Sequence, residues 1–566
     1  MRTTDWNLKD IYATDKDFRN DWKIAEEGIG KIEKFKGKIN TEEALLNFLL
    51  LKNDLHTILD KIEVYTSLRW QENIKDDNIA EDYNKMQELK YHLYNDAESF
   101  FSEELLSNSN DFLDNLYVKE PKLEIFKSRL SDIIRQKSHI LSPEKVQSIK
   151  EYESTIECYI SEYITLTEEK MDFSKCDTRR DDLNLYNQFK DTISEIFLGE
   201  VKARTAISKI RQYGSYMEQR LNEMNSSVNL FNNVIENVNN NEYLYKKYLL
   251  IRKEALGLDN MNIEDEWSSI IKGDNEKEYS YEEGKSIVLK ALQPIGKEYI
   301  SILEKGFNSN WASVYPKENK RDKVFSWGAY DTPHPYVFLN FDGTYRSVSD
   351  IAHEFGHAIH QYYCTKNQPF HYYEFPYILD ETVAITNEIL LAESILKEEN
   401  DVYRRITLLD NIISHINNTI IMQTRFAEFE KWVYEKTYEG TELTGNEINN
   451  YFNGILKRSY DSILEYEPSE VCVWARIWQL FEEPFYVYQY PTGMIAAICV
   501  ANRLLNDKDD FSKKYMEVLK LGESVKPFEQ LKMLDIDLET DKPYKEAFQY
   551  YEEKINELQY LVKKIK

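Results

Sequence analysis

Two histidines four residues apart flank a glutamate in the run Ser349-Asp350-Ile351-Ala352-His353-Glu354-Phe355-Gly356-His357-Ala358-Ile359-His360. On a helix, residues four apart stand one above the other on a single face, so His353 and His357 can bring two imidazole nitrogens to one metal ion. Glu354 lies roughly 100° round the helix from His353. That is a poor position for a third ligand and a good one for a base acting on water at the metal. The chemistry implied is that of a zinc hydrolase with Glu354 as general base. The plain alternative is a helix whose histidine pair is merely partnered in a core. Against it, five of the nine histidines (His334, His353, His357, His360 and His371) crowd between positions 334 and 371.

A catalytic zinc needs a third protein ligand and an open position for water. The next helical stretch, Pro376 to Leu390, offers Asp380, Glu381 and Glu388. Glu381 and Glu388 are seven apart and share a face, so spacing does not choose between them. Asp350, one turn before His353, either accepts a hydrogen bond from a ligand imidazole or is a solvated helix residue. Asp380 either supports the site or caps its helix. His360 either supports the metal ligands or packs, and His334, between Pro333 and Pro335, either contacts substrate or is an ordinary loop residue. Gly356 costs about 1 kcal/mol relative to alanine within a helix, which points to close approach by another element.

These side chains need a frame. The run Tyr336 to Phe341 reads as a strand just before the histidine helix, and an exposed strand edge there could hold an extended peptide by main-chain hydrogen bonds. Asp342-Gly343 is a turn signal. From Thr41 to Leu105 apolar residues recur at intervals of three and four, as in Leu45, Phe48, Leu49, Leu55, Ile58, Leu59 and Ile62, which predicts long amphipathic helices. A second helical run covers Ile156 to Ile210, and Pro121 and Pro143 punctuate further hairpins. The stretch Met217 to Asn241 is rich in asparagine, a weak helix former, and reads as a loop. With 18 Gly and 13 Pro in 566 residues, turn-makers are few and a mainly α fold is expected. The length asks for at least two cores. A single cut gives an N-terminal helical lobe, 1–197, and a catalytic lobe, 198–566, expected to enclose a deep substrate channel with a small β-sheet beside the histidine helix.

A net charge of −28 argues against nucleic acid or an anionic membrane as partner, since both require basic patches. Five scattered cysteines without a Cys-x-x-Cys pair suit a reducing compartment. The opening residues lack the apolar core of a secretory leader, and no apolar run is long enough to span a bilayer. A soluble cytoplasmic protein, monomeric or weakly self-associating, is expected.

Several motifs together resemble a known family. Gly328-Ala329-Tyr330, Pro335 to Phe341, the His-Glu-Phe-Gly-His-Ala-Ile-His run, Glu381-Thr382-Val383-Ala384 and Asn387-Glu388 resemble the oligoendopeptidase F zinc peptidases, relatives of thimet oligopeptidase. Asp5 to Tyr12 is similar to that family's start, and Pro484 to Gly493 to its tyrosine-rich substrate segment. The resemblance implies one Zn2+ per chain, held by His353, His357 and Glu381, and hydrolysis of short unstructured peptides. It also implies oxyanion donors among Tyr486, Tyr488 and Tyr490, with packing accounting for at least one of the three. Where relatives commonly carry a histidine just before this segment, the chain reads Trp478-Gln479-Leu480. Gln479 can donate a hydrogen bond but carries no proton or charge. That departure keeps two other readings open: an exopeptidase, carboxypeptidase-like in trimming one end of its substrate, and a catalytically weak peptide-binding protein.

Overall fold

The computed structural model describes residues 4–139, 141, 143–271, 277–465, 468–506 and 508–565. Helices dominate it, joined by five short strands: β1 (Met261–Asn262), β2 (Ala312–Ser313), β3 (Phe325–Trp327), β4 (Tyr336–Phe338) and β5 (Leu464–Glu465). Periodicity located the long helices well. Thr41 caps the helix Glu42–Glu72 by accepting the Ala44 N–H, and Leu45, Phe48, Leu49, Leu55, Leu59 and Ile62 are buried along one stripe.

The asparagine-rich stretch is not a loop. It forms the helices Tyr216–Glu223 and Val228–Asn240. Leu230, Phe231, Val234, Ile235 and Val238 make a continuous buried face, and burying that face outweighs a few tenths of a kcal/mol per residue of propensity. The asparagines stay compatible by bonding to the helix itself. Asn237 Nδ2 donates to Asn233 O at 3.0 Å and Asn241 Nδ2 to Asn237 O at 2.8 Å.

The chain divides into two compact units, each assembled from three separate segments. The first comprises Met1–Ile140, Glu276–Ile395 and Ala501–Leu534, and the second Leu141–Asn275, Leu396–Val500 and Asp535–Lys566. A single cut after residue 197 therefore misplaces the division. The helix Lys190–Ile210 runs unbroken through that point, with Phe197 and Leu198 in its buried face. A linear scan finds linkers, and two of the crossings here, at Ile395–Leu396 and Val500–Ala501, fall inside helices.

In the first unit the N-terminal helices share a core with the small sheet that leads to the histidine helix. Trp6 packs on Phe338 at 5.4 Å between ring centroids and on Tyr336 at 6.2 Å. The sheet order is β2-β4-β3, parallel between β2 and β4 and antiparallel between β3 and β4. The strand expected over 336–341 is thus shorter and central. Both its edges are already paired, so main-chain capture of a peptide cannot fall to β4, and β2 and β3 are the edge strands of this sheet.

The second unit is helical apart from the two-residue pairing of β1 with β5. Among the described residues no helix is long and apolar enough to cross a membrane.

Candidate active site

The His-Glu-x-x-His sequence lies mid-way along the helix Tyr345–Asn367. Thr344 caps it, accepting the Ser347 N–H at 3.2 Å, and Asp342 in turn accepts from both the Thr344 N–H and its hydroxyl. Gly343 has φ +90, so the expected Asp-Gly turn is present and uses the left-handed backbone that glycine permits. Val348, Ile351, Ala352, Phe355, Ala358 and Ile359 are all fully buried. This apolar stripe anchors the helix and leaves His353 and His357 on another face.

The neighbouring helix, Tyr377–Glu398, runs antiparallel to it. Successive turns meet in reverse order: Asn387 Nδ2 donates to Ala352 O at 2.9 Å, Glu388 meets His353, and Asp380 meets His357. Gly356 is what lets them close. A β-carbon there would lie 2.9 Å from Ala384 Cα and 3.0 Å from Asn387 Nδ2, and a neighbouring backbone cannot step aside. Gly356→Ala is therefore expected to cost about 1–3 kcal/mol of stability, as overpacked sites do, and to weaken metal affinity. Thermal unfolding and chelator competition measure both, and an alanine variant matching the parent in each would disprove the contact.

Three ligand atoms converge. His353 Nε2 and His357 Nε2 are 3.1 Å apart, His357 Nε2 is 3.9 Å from Glu381 Oε1, and His353 Nε2 is 4.0 Å from Glu381 Oε2. Ligands of a tetrahedral zinc with bonds of ~2.0–2.1 Å stand roughly 3.4 Å apart, so the residues fit such an ion after small side-chain adjustments. The chemistry of the donors agrees. His353 Nδ1 is hydrogen-bonded to Glu388, and His357 Nδ1 lies 2.8 Å from Asp380 Oδ2, within pairing distance though out of line for an ideal hydrogen bond. Carboxylates on both Nδ1 atoms put the protons there and leave lone pairs on both Nε2 atoms. Two such nitrogens 3.1 Å apart share either one proton or a metal cation between them. Among the described residues, His353, His357 and Glu381 form the one set of three such ligands with all atoms within 4.8 Å.

Electrostatics follow from burial. Desolvation alone would lower the His353 pKa, but the adjacent Glu388, with Glu354 and Glu381 nearby, pushes it up to about 10. His357 is raised against the same burial by Asp380. Asp380 is itself held well below the usual carboxylate range: burial opposes this, and His357 and His360 outweigh it. Glu354 is 4 % exposed, and burial raises its pKa despite the two imidazoles. Its Oε2 has no hydrogen-bond partner among the described residues, a costly state for a buried carboxylate unless a water or substrate group completes it.

The supporting residues sort differently from their sequence expectations. Asp350 does not reach a ligand imidazole. It pairs with Arg346 one turn earlier, Nε to Oδ1 at 2.8 Å, because a guanidinium four residues away on the same face is the nearer partner. Glu388 takes the orienting role instead. Asp380 is no mere helix cap, since its two oxygens face His357 and, at 3.1 Å, His360 Nδ1. His360 is 2 % exposed and supports the site through Asp380. His334 is buried, stacked on Trp311 with centroids 4.9 Å apart, its Nδ1 2.8 Å from Pro335 O. Asn387, which entered the sequence reading only as part of the family motif, has a structural role: its amide ties the two helices together and also bonds the Tyr299 hydroxyl.

The tyrosine-rich segment and Gln479 belong to the second unit. Tyr488 is buried against Phe231, centroids 5.2 Å apart, and packs in that unit's interior. Tyr486 and Tyr490 are half-buried, their rings edge-to-face at 5.7 Å. Gln479 Nε2 donates to Tyr490 OH at 3.1 Å, so glutamine and tyrosine work as a pair.

A helix-borne histidine pair with a glutamate beside it and a second glutamate from the next helix defines the HExxH class of metallopeptidases. Residues 178–550 match peptidase family M3, and the chain belongs to that family. It is 27% identical to oligopeptidase PepF of Bacillus subtilis, across 99% of this chain and 88% of that one. To an oligoendopeptidase F homologue of Lactococcus lactis it is 26% identical, across 99% and 97%. A Chlamydophila abortus protein of known crystal structure superposes with a TM-score of 0.87 at 27% identity, across 99% of this chain and 98% of that one. Oligoendopeptidase-F from Enterococcus faecium shares the fold, with a TM-score of 0.73 at 22% identity across 97% and 99%. The protein is a peptidase of the metallo-endopeptidase kind.

Proposed function

We propose that this peptidase is a zinc-dependent oligoendopeptidase that cuts short, unstructured peptides internally. The observation that carries the reading is the triangle of His353, His357 and Glu381 ligand atoms beside a buried glutamate with one unsatisfied oxygen. One zinc ion held by those three residues supplies Lewis acidity and a water whose pKa falls from 15.7 toward ~7.

The chain's own residues do the rest. Glu388 and Asp380 hold the two imidazoles in the tautomer that presents Nε2. Glu354 takes a proton from the attacking water and later hands it to the leaving amine. Burial has raised its pKa toward the working pH, where a base that must also act as an acid is most effective. Tyr486 and Tyr490 provide the hydrogen bonds for the developing oxyanion, a role that rests on the family resemblance. Gln479, by donating to the Tyr490 oxygen, directs that phenol's own hydrogen elsewhere. Tyr488, being interior, has the packing role. The short-peptide preference is supported by the names of the relatives. Five cysteines with no disulfide among them support a reducing, cytoplasmic setting, and monomeric or weakly associating behaviour remains part of the proposal.

A quenched fluorogenic peptide assay with metal analysis, run with and without chelator, tests the assignment. Cleavage that chelator abolishes and zinc restores is expected. Mass spectrometry of a digested ten-residue peptide is expected to show internal cuts. A ladder shortened one residue at a time from one end would establish the exopeptidase reading instead, and binding without cleavage would establish the silent one.

A further inference from the structure

Phe485 sits at φ +60, in the left-handed region that a bulky L-residue adopts only when its surroundings compel it. It is also fully buried, with its ring against Tyr434, Phe231 and Tyr216 at 5.0, 5.6 and 6.1 Å between centroids. It opens the tyrosine-rich segment: the Tyr486 N–H donates to Glu483 O at 3.1 Å, so residues 483–486 form a tight turn.

Two helices of the same unit hold the backbone of that turn, and a third holds the stretch leading into it, all through buried or half-buried side chains. From the helix Gln423–Tyr438, Glu430 Oε1 accepts the Phe485 N–H at 2.7 Å. From Tyr216–Glu223, Arg220 Nε donates to Pro484 O at 3.3 Å. From Lys190–Ile210, Arg204 donates to Phe481 O at 3.0 Å and is itself anchored by Glu200 and the Tyr216 hydroxyl. An acid at 0 % exposure is costly, and burial pushes the Glu430 carboxyl up to about 8, the Phe485 N–H, Arg220 and Arg204 only partly opposing it while Glu200 adds to it. Burial thus favours the neutral form of Glu430. A packed apolar residue would serve stability better there, unless the acceptor for Phe485 is what matters.

We propose that Glu430, assisted by Arg220, is a positioning residue: by holding the Phe485 turn in its left-handed conformation it sets the directions in which Tyr486 and Tyr490 leave the segment. The inference rests on the reading of those tyrosines as oxyanion donors. Glu430 and Arg220 both belong to the second unit, and the metal ligands to the first.

Glu430→Leu removes the acceptor and Glu430→Gln keeps it without the titration. With metal content unchanged, the leucine variant is expected to lose kcat by roughly 10- to 100-fold, the scale of a misplaced catalytic group, while KM moves little. The glutamine variant is expected to retain most of kcat. Arg220→Met, at a side chain 25% exposed where folding is more tolerant, is expected to show a smaller loss of the same kcat-selective kind. This variant serves as the test if leucine at 430 prevents folding. Full kcat in a folded Glu430→Leu or Arg220→Met protein would overturn the proposal, as would a glutamine variant as slow as leucine. In a Tyr486→Phe/Tyr490→Phe background the leucine substitution should add little, and a full additional loss would overturn the route through the tyrosines. A double-phenylalanine protein with full kcat would overturn the oxyanion reading and this proposal together. A slow one beside a fast Glu430→Leu would overturn the positioning alone.

Discussion

Glu354→Gln is expected to lower kcat by roughly 10²–10⁴-fold, the range for loss of a general base, while the protein keeps its metal. Each tenfold corresponds to about 1.4 kcal/mol of barrier, so the loss amounts to about 3–5 kcal/mol. The metal should stay because Glu354 is not one of the converging ligands. Its place round the helix from His353 sets its carboxylate beside that cluster, buried, with one oxygen unsatisfied. Glutamine matches it in volume and still accepts a hydrogen bond, so folding is preserved and only proton transfer is lost. Single-turnover cleavage measured alongside zinc content is the test. A glutamine variant that binds metal and cleaves at the parent rate would end the base assignment.

Glu381→Ala should abolish stable metal binding, which makes it the second large effect. Without it the site keeps only two imidazole ligands, below the three protein ligands of a catalytic zinc. Glu388→Ala should behave differently. Glu388 bonds to His353 Nδ1, on the far side of the ring from the converging Nε2 atoms, so its removal should weaken metal binding by roughly 10–100-fold, the scale for such supporting carboxylates. Asp380→Ala should fall in the same range. Equilibrium dialysis against zinc separates these outcomes. If Glu388→Ala stripped the metal while Glu381→Ala kept it, the ligand role would pass to Glu388.

The contrast between Glu381 and Glu388 shows where sequence reasoning stops. Seven residues apart, both face the histidine helix, and both meet a histidine. Which one approaches Nε2 and which Nδ1 depends on the axial offset of two antiparallel helices. That offset is set by the close contact of Gly356 with Ala384 and by the bond from Asn387 to Ala352 O. Asp350 was plausible on spacing, but it pairs with Arg346 while Glu388 partners His353. His334, equally plausible beside two prolines, became a buried ring on Trp311.

Local pattern was enough wherever the deciding interactions were local. The i, i+4 spacing of His353 and His357, the place of Glu354 beside them, the Asp342-Gly343 turn and the stripe of Leu45 to Ile62 all depend on neighbours within a turn or two of helix, and they could be read directly. What needed the tertiary structure was every choice made by contact between distant segments: the two discontinuous units where one cut was expected, the helical Asn-rich stretch rescued by a buried face, the central place of β4, and the interior position of Tyr488. Periodicity records which face a residue occupies. It carries no information about which other element that face will meet, because that is decided by packing summed over the whole chain.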